Sequence, residues 1–471
     1  KLVWFVNLYR VGFLVKKVTR HNLLSDISSE MSEHKMKVSA RAYKATKPSL
    51  TYLEKFFEAS SNQYSHDNPE GWVLLTVAEN KLTYEDIIKP KLKEAHKQFG
   101  ERALEDFEPF YNDMKGREKL RRSIAAYLNK HFISSQYRSS FEVGFENIVC
   151  STGCGCLVNT LAWCLGEPGN SCIIPAPYYP AFDNDLTVMS NIIPVSAFLQ
   201  ENNGKFELTS ESLEDAFQVS VSQGNRPAML LLTNPNNPTG TCYSRPELEL
   251  ALAFTREKGM FLVSDEIYAN SGHTYTHEND QSFISMFDIG LSMSADGKRI
   301  GDDIFILYGF SKDFCLSGLR AGILYSENEE FQLAQNNLSY FGAISSDTQY
   351  ILDNLISDDK WVSTLLEANN KRLSENCVLV MTLLDELDIP YFRSTSALFL
   401  VVDLRKFLTE RSWEGERQLF NRLCDECNVM LTPGQDCHFK EPGFFRCCYG
   451  NCNTEGLRVG FQRIKDVFVD K

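Results

Sequence analysis

The residues best suited to chemistry gather around one lysine. Tyr308-Gly-Phe-Ser311-Lys312-Asp313 follows a short apolar run, and Arg320 lies eight residues after the lysine. A free lysine has a pKa of about 10.4, so its ammonium is a poor nucleophile. Held at a strand end near other cations, it can form an imine with an aldehyde cofactor. Ser311 and Arg320 suit a phosphate dianion, one as a hydroxyl donor and the other as a charged fork. A Ser-Lys pair standing alone reads equally well as surface, so the neighbouring motifs decide.

Upstream, Phe261-Leu-Val-Ser-Asp265-Glu-Ile-Tyr268 ends another apolar run. An aspartate at the end of a buried strand is costly unless a cation or several donors meet it. A protonated pyridine nitrogen would be such a partner, and the pairing keeps the ring able to accept electrons. The plainer alternative is a helix cap. Tyr268 would reach a phenolic oxygen on that ring. Thr233-Asn-Pro-Asn-Asn237-Pro-Thr-Gly240 is a turn whatever its function, and Asn237 is a second donor to the same oxygen. In Ser151-Thr-Gly153-Cys154-Gly155 a strand passes into a helix, whose first free N–H groups make an anion site. Tyr179, in Pro177-Tyr-Tyr-Pro180, reads as a ring-stacking aromatic or as core. Arg446, in Glu441-Pro-Gly-Phe-Phe-Arg446, reads as a clamp for a substrate carboxylate or as an ordinary ion pair.

The elements that position these residues alternate. Continuous apolar runs at Ile148–Cys150, Cys172–Ile174, Met229–Leu232, Phe261–Val263 and Ile304–Leu307 read as strands buried on both faces. Leu157–Leu165 and Arg245–Lys258 read as helices between them. This predicts an α/β layer with a mainly parallel sheet and a site at the carboxyl ends of its strands. Later, Lys360–Asp388 and Arg411–Cys427 read as helices, and Ala397–Val402 and Phe445–Cys448 as strands. They suggest a smaller α+β domain, with N-terminal residues up to about 110 packed against it.

A chain of 471 residues is too long for one core. Its formal charge of −14 disfavours non-specific nucleic-acid binding. The 14 cysteines are scattered, which fits reduced thiols. Cys424 and Cys427 have CxxC spacing but no second pair, so no metal is expected. The apolar start, residues 1–15, is interrupted by Asn7 and Arg10 and falls short of a membrane span. It is a weak signal segment, and a start at Met31 would remove it. No membrane association is expected, and the location is read as cytoplasmic.

In combination and in order, these motifs resemble the class-I aminotransferase superfamily of fold-type-I enzymes that use pyridoxal 5′-phosphate (PLP). The resemblance runs from about Tyr64 to Val467. It implies a large domain with a seven-stranded-type sheet between helices, plus a smaller α+β domain. The implied division is 1–30 N-terminal extension, 31–111 small domain, 112–345 large PLP-binding domain and 346–471 small domain again. It also implies roles. Lys312 forms the internal aldimine, Asp265 pairs the ring nitrogen, and Tyr268 and Asn237 hold the phenolic oxygen. Tyr179 stacks, Arg320, Ser311, Cys154 and Gly155 hold the phosphate, and Arg446 binds the α-carboxylate.

Within that superfamily the words Ala78-Glu79-Asn80, PYYPAFDNDL at 177–186, SKDFCLSGLRAG at 311–322 and EPGFFR at 441–446 are most similar to 1-aminocyclopropane-1-carboxylate (ACC) synthases. Glu79 matches a glutamate that separates the synthase reaction from transamination. Several positions depart from the plant pattern. Gly309 stands for a phosphate-binding serine and Gly155 for a threonine. Asn184 replaces an arginine. Met114 falls where a tyrosine reaches the neighbouring subunit, with Tyr111 out of register. These departures resemble the animal members of the group. The implied activity is γ-elimination from S-adenosylmethionine or a related lyase reaction on an amino acid, in a homodimer. The alternatives are transamination to a 2-oxo acid, and a degenerate chain that serves as an interaction protein.

Overall fold

The computed structural model describes residues 38–47, 50–103, 109–202, 204–275 and 280–469. The expected extension at 1–30 and the Met31 start lie outside them. Residues through Lys47 and those from Pro48 onward form separate compact units. The first contains a short helix, Ala40–Lys44, capped by the Ser39 side chain. The second carries the fold described below.

Its central sheet has seven strands: β1 (Ile148–Ser151), β2 (Ser171–Ala176), β3 (Ile193–Phe198), β4 (Pro227–Thr233), β5 (Phe261–Asp265), β6 (Ile304–Gly309) and β7 (Gly322–Tyr325). The spatial order is β1-β7-β6-β5-β4-β2-β3. Five strands run parallel, from β6 through β5, β4 and β2 to β3, and β7 is antiparallel to both β1 and β6. Inner strands β4 and β6 are buried along their whole length and β5 from Leu262 on, which explains their unbroken apolar runs. Helices that bear on the site are α1 (Glu118–His131), α2 (Cys154–Leu165), α3 (Phe182–Thr187), α4 (Arg245–Lys258), α5 (Ser346–Ile356), α6 (Asp359–Glu386) and α7 (Trp413–Cys427).

A second sheet has the order β8-β9-β11-β10, with β8 Tyr391–Phe392, β9 Phe399–Asp403, β10 Thr432–Pro433 and β11 Phe444–Cys448. Val73–Leu74 pairs in parallel with Val429–Met430, so an N-terminal segment is stitched to the C-terminal layer. The hydrophobic cores divide the chain elsewhere than the expected boundaries at 111 and 345. Trp72–Leu75 pack with Phe399, Leu423 and Phe445. Ile88 and Ala95 pack instead with the larger core, as do Ile351–Leu366 of α5 and early α6. Helix α6 thus begins in one core and ends in the other, where Leu373, Cys377, Val380 and Leu384 are buried. Cys424 and Cys427, on α7, are both buried in this second core. No helix among the described residues is long and apolar enough to cross a membrane.

Candidate active site

The carboxyl ends of β1, β2, β4, β5 and β6 converge on a cavity of about 260 Å³. Cys154, Gly155, Tyr179, Asn237, Asp265, Tyr268, Ser311, Lys312 and Arg320 all line it. A wider groove of about 1170 Å³ runs beside β3 and Phe439, and holds none of the residues given a cofactor or substrate role from the sequence.

Lys312 follows β6 and is half-buried. Its Nζ donates to the Ala78 carbonyl at 2.5 Å and lies 5.9 Å from the centre of the Tyr268 ring. Burial lowers its pKa. Glu79 opposes that shift and Arg446 adds to it. The result is more neutral amine near pH 7, as a nucleophile or a base requires.

Asp265 closes β5 with only 6% exposure. Among the described residues its carboxylate accepts one hydrogen bond, from the Ile267 N–H to Oδ1 at 3.3 Å, so the local capping alternative is partly realised. That single donor leaves the carboxylate under-solvated, and burial raises its pKa to about 7. A cation seated here would restore the charged form, which is what a pyridinium nitrogen offers. The buried Thr233 Oγ1, also on the cavity wall, has no partner. Tyr268 is 2% exposed and packs edge-on against Phe399.

Asn237 and Arg446 are joined, which the sequence motifs alone do not reveal. Arg446 donates from Nη1 to Asn237 Oδ1 at 2.9 Å. Its Nη2 donates to the Thr76 carbonyl and to Thr432 Oγ1. With Oδ1 occupied, Nδ2 is the amide group Asn237 has left to offer to the cavity that it lines. Arg446 is 3% exposed, has no acidic partner among the described residues, and leaves its buried Nε unpaired. The ordinary ion pair is therefore not what holds it. A buried arginine without a carboxylate partner gains by meeting an anion.

The phosphate-side groups sit at the start of α2. Its N-cap, Gly153, has φ +97° and no capping side chain, so the first N–H groups are unspent. A Cβ at Gly153 would come within 2.7 Å of Arg320 Nη2, so glycine is what lets the guanidinium close over the turn. Arg320 is exposed, and among the described residues its guanidinium donates only to the Ser317 carbonyl, at 3.0 Å. Gly309 acquires a physical reason. A Cβ there would meet Cys154 Sγ at 3.1 Å and the Ala321 carbonyl at 3.0 Å. The Cys154 thiol, donating to the Tyr308 carbonyl, fills that space. A Cβ at Gly155 would lie 3.3 Å from both carboxylate oxygens of Asp185, on α3. Asp185 was not singled out from the sequence. It lines the cavity, and burial raises its pKa to about 6.

Glu79 does not line the cavity. It accepts from Ser317 Oγ at 2.7 Å, and Ser317 does line it. Met114 is half-buried, whereas Tyr111 is exposed beside an exposed Phe110.

The chain is similar to several known proteins. The class I and II aminotransferase family matches residues 70–464. ACC synthase 11 of Arabidopsis thaliana is 34% identical over 409 residues, covering 86% of this chain and 85% of that protein. ACC synthase 3 of Solanum lycopersicum is 32% identical over 424 residues, with 88% and 87% covered. Among solved structures, a Thermus thermophilus aspartate aminotransferase double mutant superposes with a TM-score of 0.73 at 20% identity, covering 92% of this chain and 100% of that one. The aspartate aminotransferase of Thermotoga maritima gives 0.72 at 21%, with 92% and 100% covered. These last two speak for the fold alone. The donor set fits PLP: a desolvated aspartate, an uncapped helix start beside an arginine, and a lysine with a lowered pKa. The chain belongs to the class I and II aminotransferase family, as a PLP-dependent, ACC-synthase-like enzyme of amino acids.

Proposed function

We propose that the chain removes the α-proton of an amino acid and then eliminates a γ-leaving group, with S-adenosylmethionine as the substrate to test first. The observation that carries this reading is the joint exposure of Lys312, Asp265, Asn237 and Tyr268 to one cavity, with Glu79 one hydrogen bond behind it through Ser317. Bound PLP supplies the sink for the electrons released at the α-carbon. Asp265 holds the ring nitrogen, and Asn237 Nδ2 and Tyr268 hold the phenolic oxygen. Arg320, Ser311 and the N–H groups of Cys154 and Gly155 hold the phosphate, and Tyr179 stacks on the ring. Arg446 takes the substrate carboxylate, since its charge has no other counterion nearby. Lys312 Nζ, whose pKa burial lowers, accepts the α-proton.

One observation favours a second reading, transamination with a 2-oxo acid. Glu79 is bound to Ser317 rather than directed into the cavity. Purified protein should be assayed for ACC from S-adenosylmethionine, and for oxo-acid products from amino acids with 2-oxoglutarate. If no ACC forms while oxo acids do, the second reading replaces the first.

A homodimer is part of the proposal. Phe110, Tyr111, Tyr340 and Phe341 are large and exposed, and the Gly342 carbonyl beside the last two accepts from Thr152 N–H next to the phosphate turn. Light scattering giving a monomer mass would end that part. A reducing, cytoplasmic setting is supported by fourteen cysteines that are all free thiols.

A further inference from the structure

Asn369 is a buried amide with no role in the chemistry above. It lies on α6 and is 2% exposed. Its Nδ2 donates to the main-chain carbonyl of Asp313 at 2.7 Å. Its Oδ1 accepts from Asn80 Nδ2 at 3.0 Å and from Thr83 Oγ1 at 2.7 Å. Asp313 is the residue after Lys312, and Asn80 is the residue after Glu79. One side chain therefore ties the lysine segment to the glutamate loop. The same two segments also meet directly, through Lys312 Nζ on the Ala78 carbonyl and Ser317 Oγ on Glu79.

The two ends of this bridge differ in firmness. The Asp313 carboxylate accepts from Asn270 N–H and Tyr308 OH, each at 2.9 Å, and from Ser271 Oγ. The loop end is held by Leu82 N–H on Asn80 Oδ1, Lys81 N–H on the Gly450 carbonyl and Arg372 on the Leu82 carbonyl, but its Glu79 and Lys81 side chains are 38% and 43% exposed, whereas Asp313 is buried. If the bridge is cut, the loop is the part free to shift. Asparagine is suited to the position because one planar group must accept twice and donate once. Aspartate could not donate to the Asp313 carbonyl, and leucine could do neither.

We infer that Asn369 is a positioning residue that holds the Glu79 loop against Lys312, and so sets both the field at the lysine and the place of Glu79. The inference rests on the reading of Lys312 as the cofactor-bearing lysine. Asn369 does not line the cavity, so it acts through Asp313 and Asn80. Glu79 raises the lysine's pKa, so a loop that retreats removes that support.

The test uses full-length protein reconstituted with PLP, titrating its visible absorbance band against pH. Asn369→Leu should lower the apparent pKa of the band by about half a unit or more. It should raise KM about tenfold with a smaller change in kcat. Asn80→Ala cuts the same bridge at the loop end and should give the same shift, with no further shift in the double variant. It also keeps the test decisive if Asn369→Leu does not fold. Ser374→Ala removes a buried hydrogen bond of the same helix, from Thr274 N–H, but spares the bridge, and should leave the band where it is. A lowered melting temperature with an unmoved band in both bridge variants overturns the inference, as does an equal shift in Ser374→Ala. If the unsubstituted protein shows no visible band with PLP, it is the reading of Lys312 that fails, before any variant is made.

Discussion

Asp265, Tyr268 and Asn237, at the ring end of the cavity, are each no more than 6% exposed. Their positions are over-determined by β5, by Phe399 and by Arg446. At the phosphate end Arg320 is exposed, and residues 153 and 155 carry no side chain at all. The ring end thus resembles a mould of desolvated groups that gain by receiving a partner. The phosphate end resembles a backbone nest with one exposed cation over it. Substitutions at the ring end should therefore alter chemistry, and those at the phosphate end should alter how tightly the cofactor is held.

The sharpest way to break this contrast is at its centre. Lys312→Ala should abolish turnover, by about 10³-fold or more. It should also remove the visible band of lysine-bound cofactor. A band that persists in the variant would show that another amine carries PLP, and the two-ended description would then be misplaced.

Next in size is Asp265→Asn. It should cost about a hundredfold or more in kcat, with a much smaller loss of PLP affinity. The same aspartate predicts a pH effect in the cofactor-free protein. Its pKa is about 7 when folded, against an ordinary value of 3.8. Between those values the folded chain holds the extra proton, so stability falls as pH rises through that window. Asp313, raised to about 6, and Glu266, raised to about 8, act in the same direction. The melting temperature of cofactor-free protein should be higher at pH 6 than at pH 8, and Asp265→Asn should flatten that slope. A slope of opposite sign would mean the buried carboxylates are charged and partnered after all.

At the other end, Arg320→Ala should weaken PLP binding by about 1.5–3 kcal/mol, the value of a hydrogen bond to a charged group. Saturating cofactor should restore most of the turnover. Loss of turnover that excess PLP does not rescue would place Arg320 in the chemistry and blur the comparison.

The two ends were also unequally legible in the sequence. Ring-end residues fall in linear motifs at strand ends, and β-strand runs such as Met229–Leu232 lie within the observed Pro227–Thr233. Helix α4 was readable at Arg245–Lys258 because Ser244 and Glu247 form a capping box and Gly259 closes the end in a left-handed turn. Two strands of the central sheet were not found. β3 is an edge strand containing Pro194 with half its residues only partly buried, and β7 is four residues long. Ile88, Ala95 and the start of α6 carry no mark of which core they join, since apolar periodicity gives burial but not the partner. Asp185 and Asn369 lie outside the motifs quoted for chemistry or act across long stretches of chain, so only the fold brings them to the site. The Cys154–Gly309 exchange is similar: each looks like a departure alone, and only their contact makes them one feature.

The smallest effect is the most specific to the phosphate end. Gly155→Thr restores the hydroxyl that the resemblance expects at the start of α2. The added Cβ would sit 3.3 Å from the Asp185 oxygens, and a few tenths of an ångström of movement at the end of a rotatable carboxylate accommodates it. The new hydroxyl has one proton and can give it to the phosphate, while the Asp185 carboxylate, which has no hydrogen-bond partner among the described residues, can swing aside. One added hydrogen bond is worth about 0.5–1.5 kcal/mol. PLP affinity, read from the absorbance of cofactor-free protein titrated with PLP, should therefore tighten roughly threefold to tenfold, with kcat at saturating cofactor unchanged. Weaker binding would mean that Asp185 does not yield and that glycine is required for space. A raised kcat would mean that the two ends are coupled, and that the phosphate end shapes the chemistry as well as the grip.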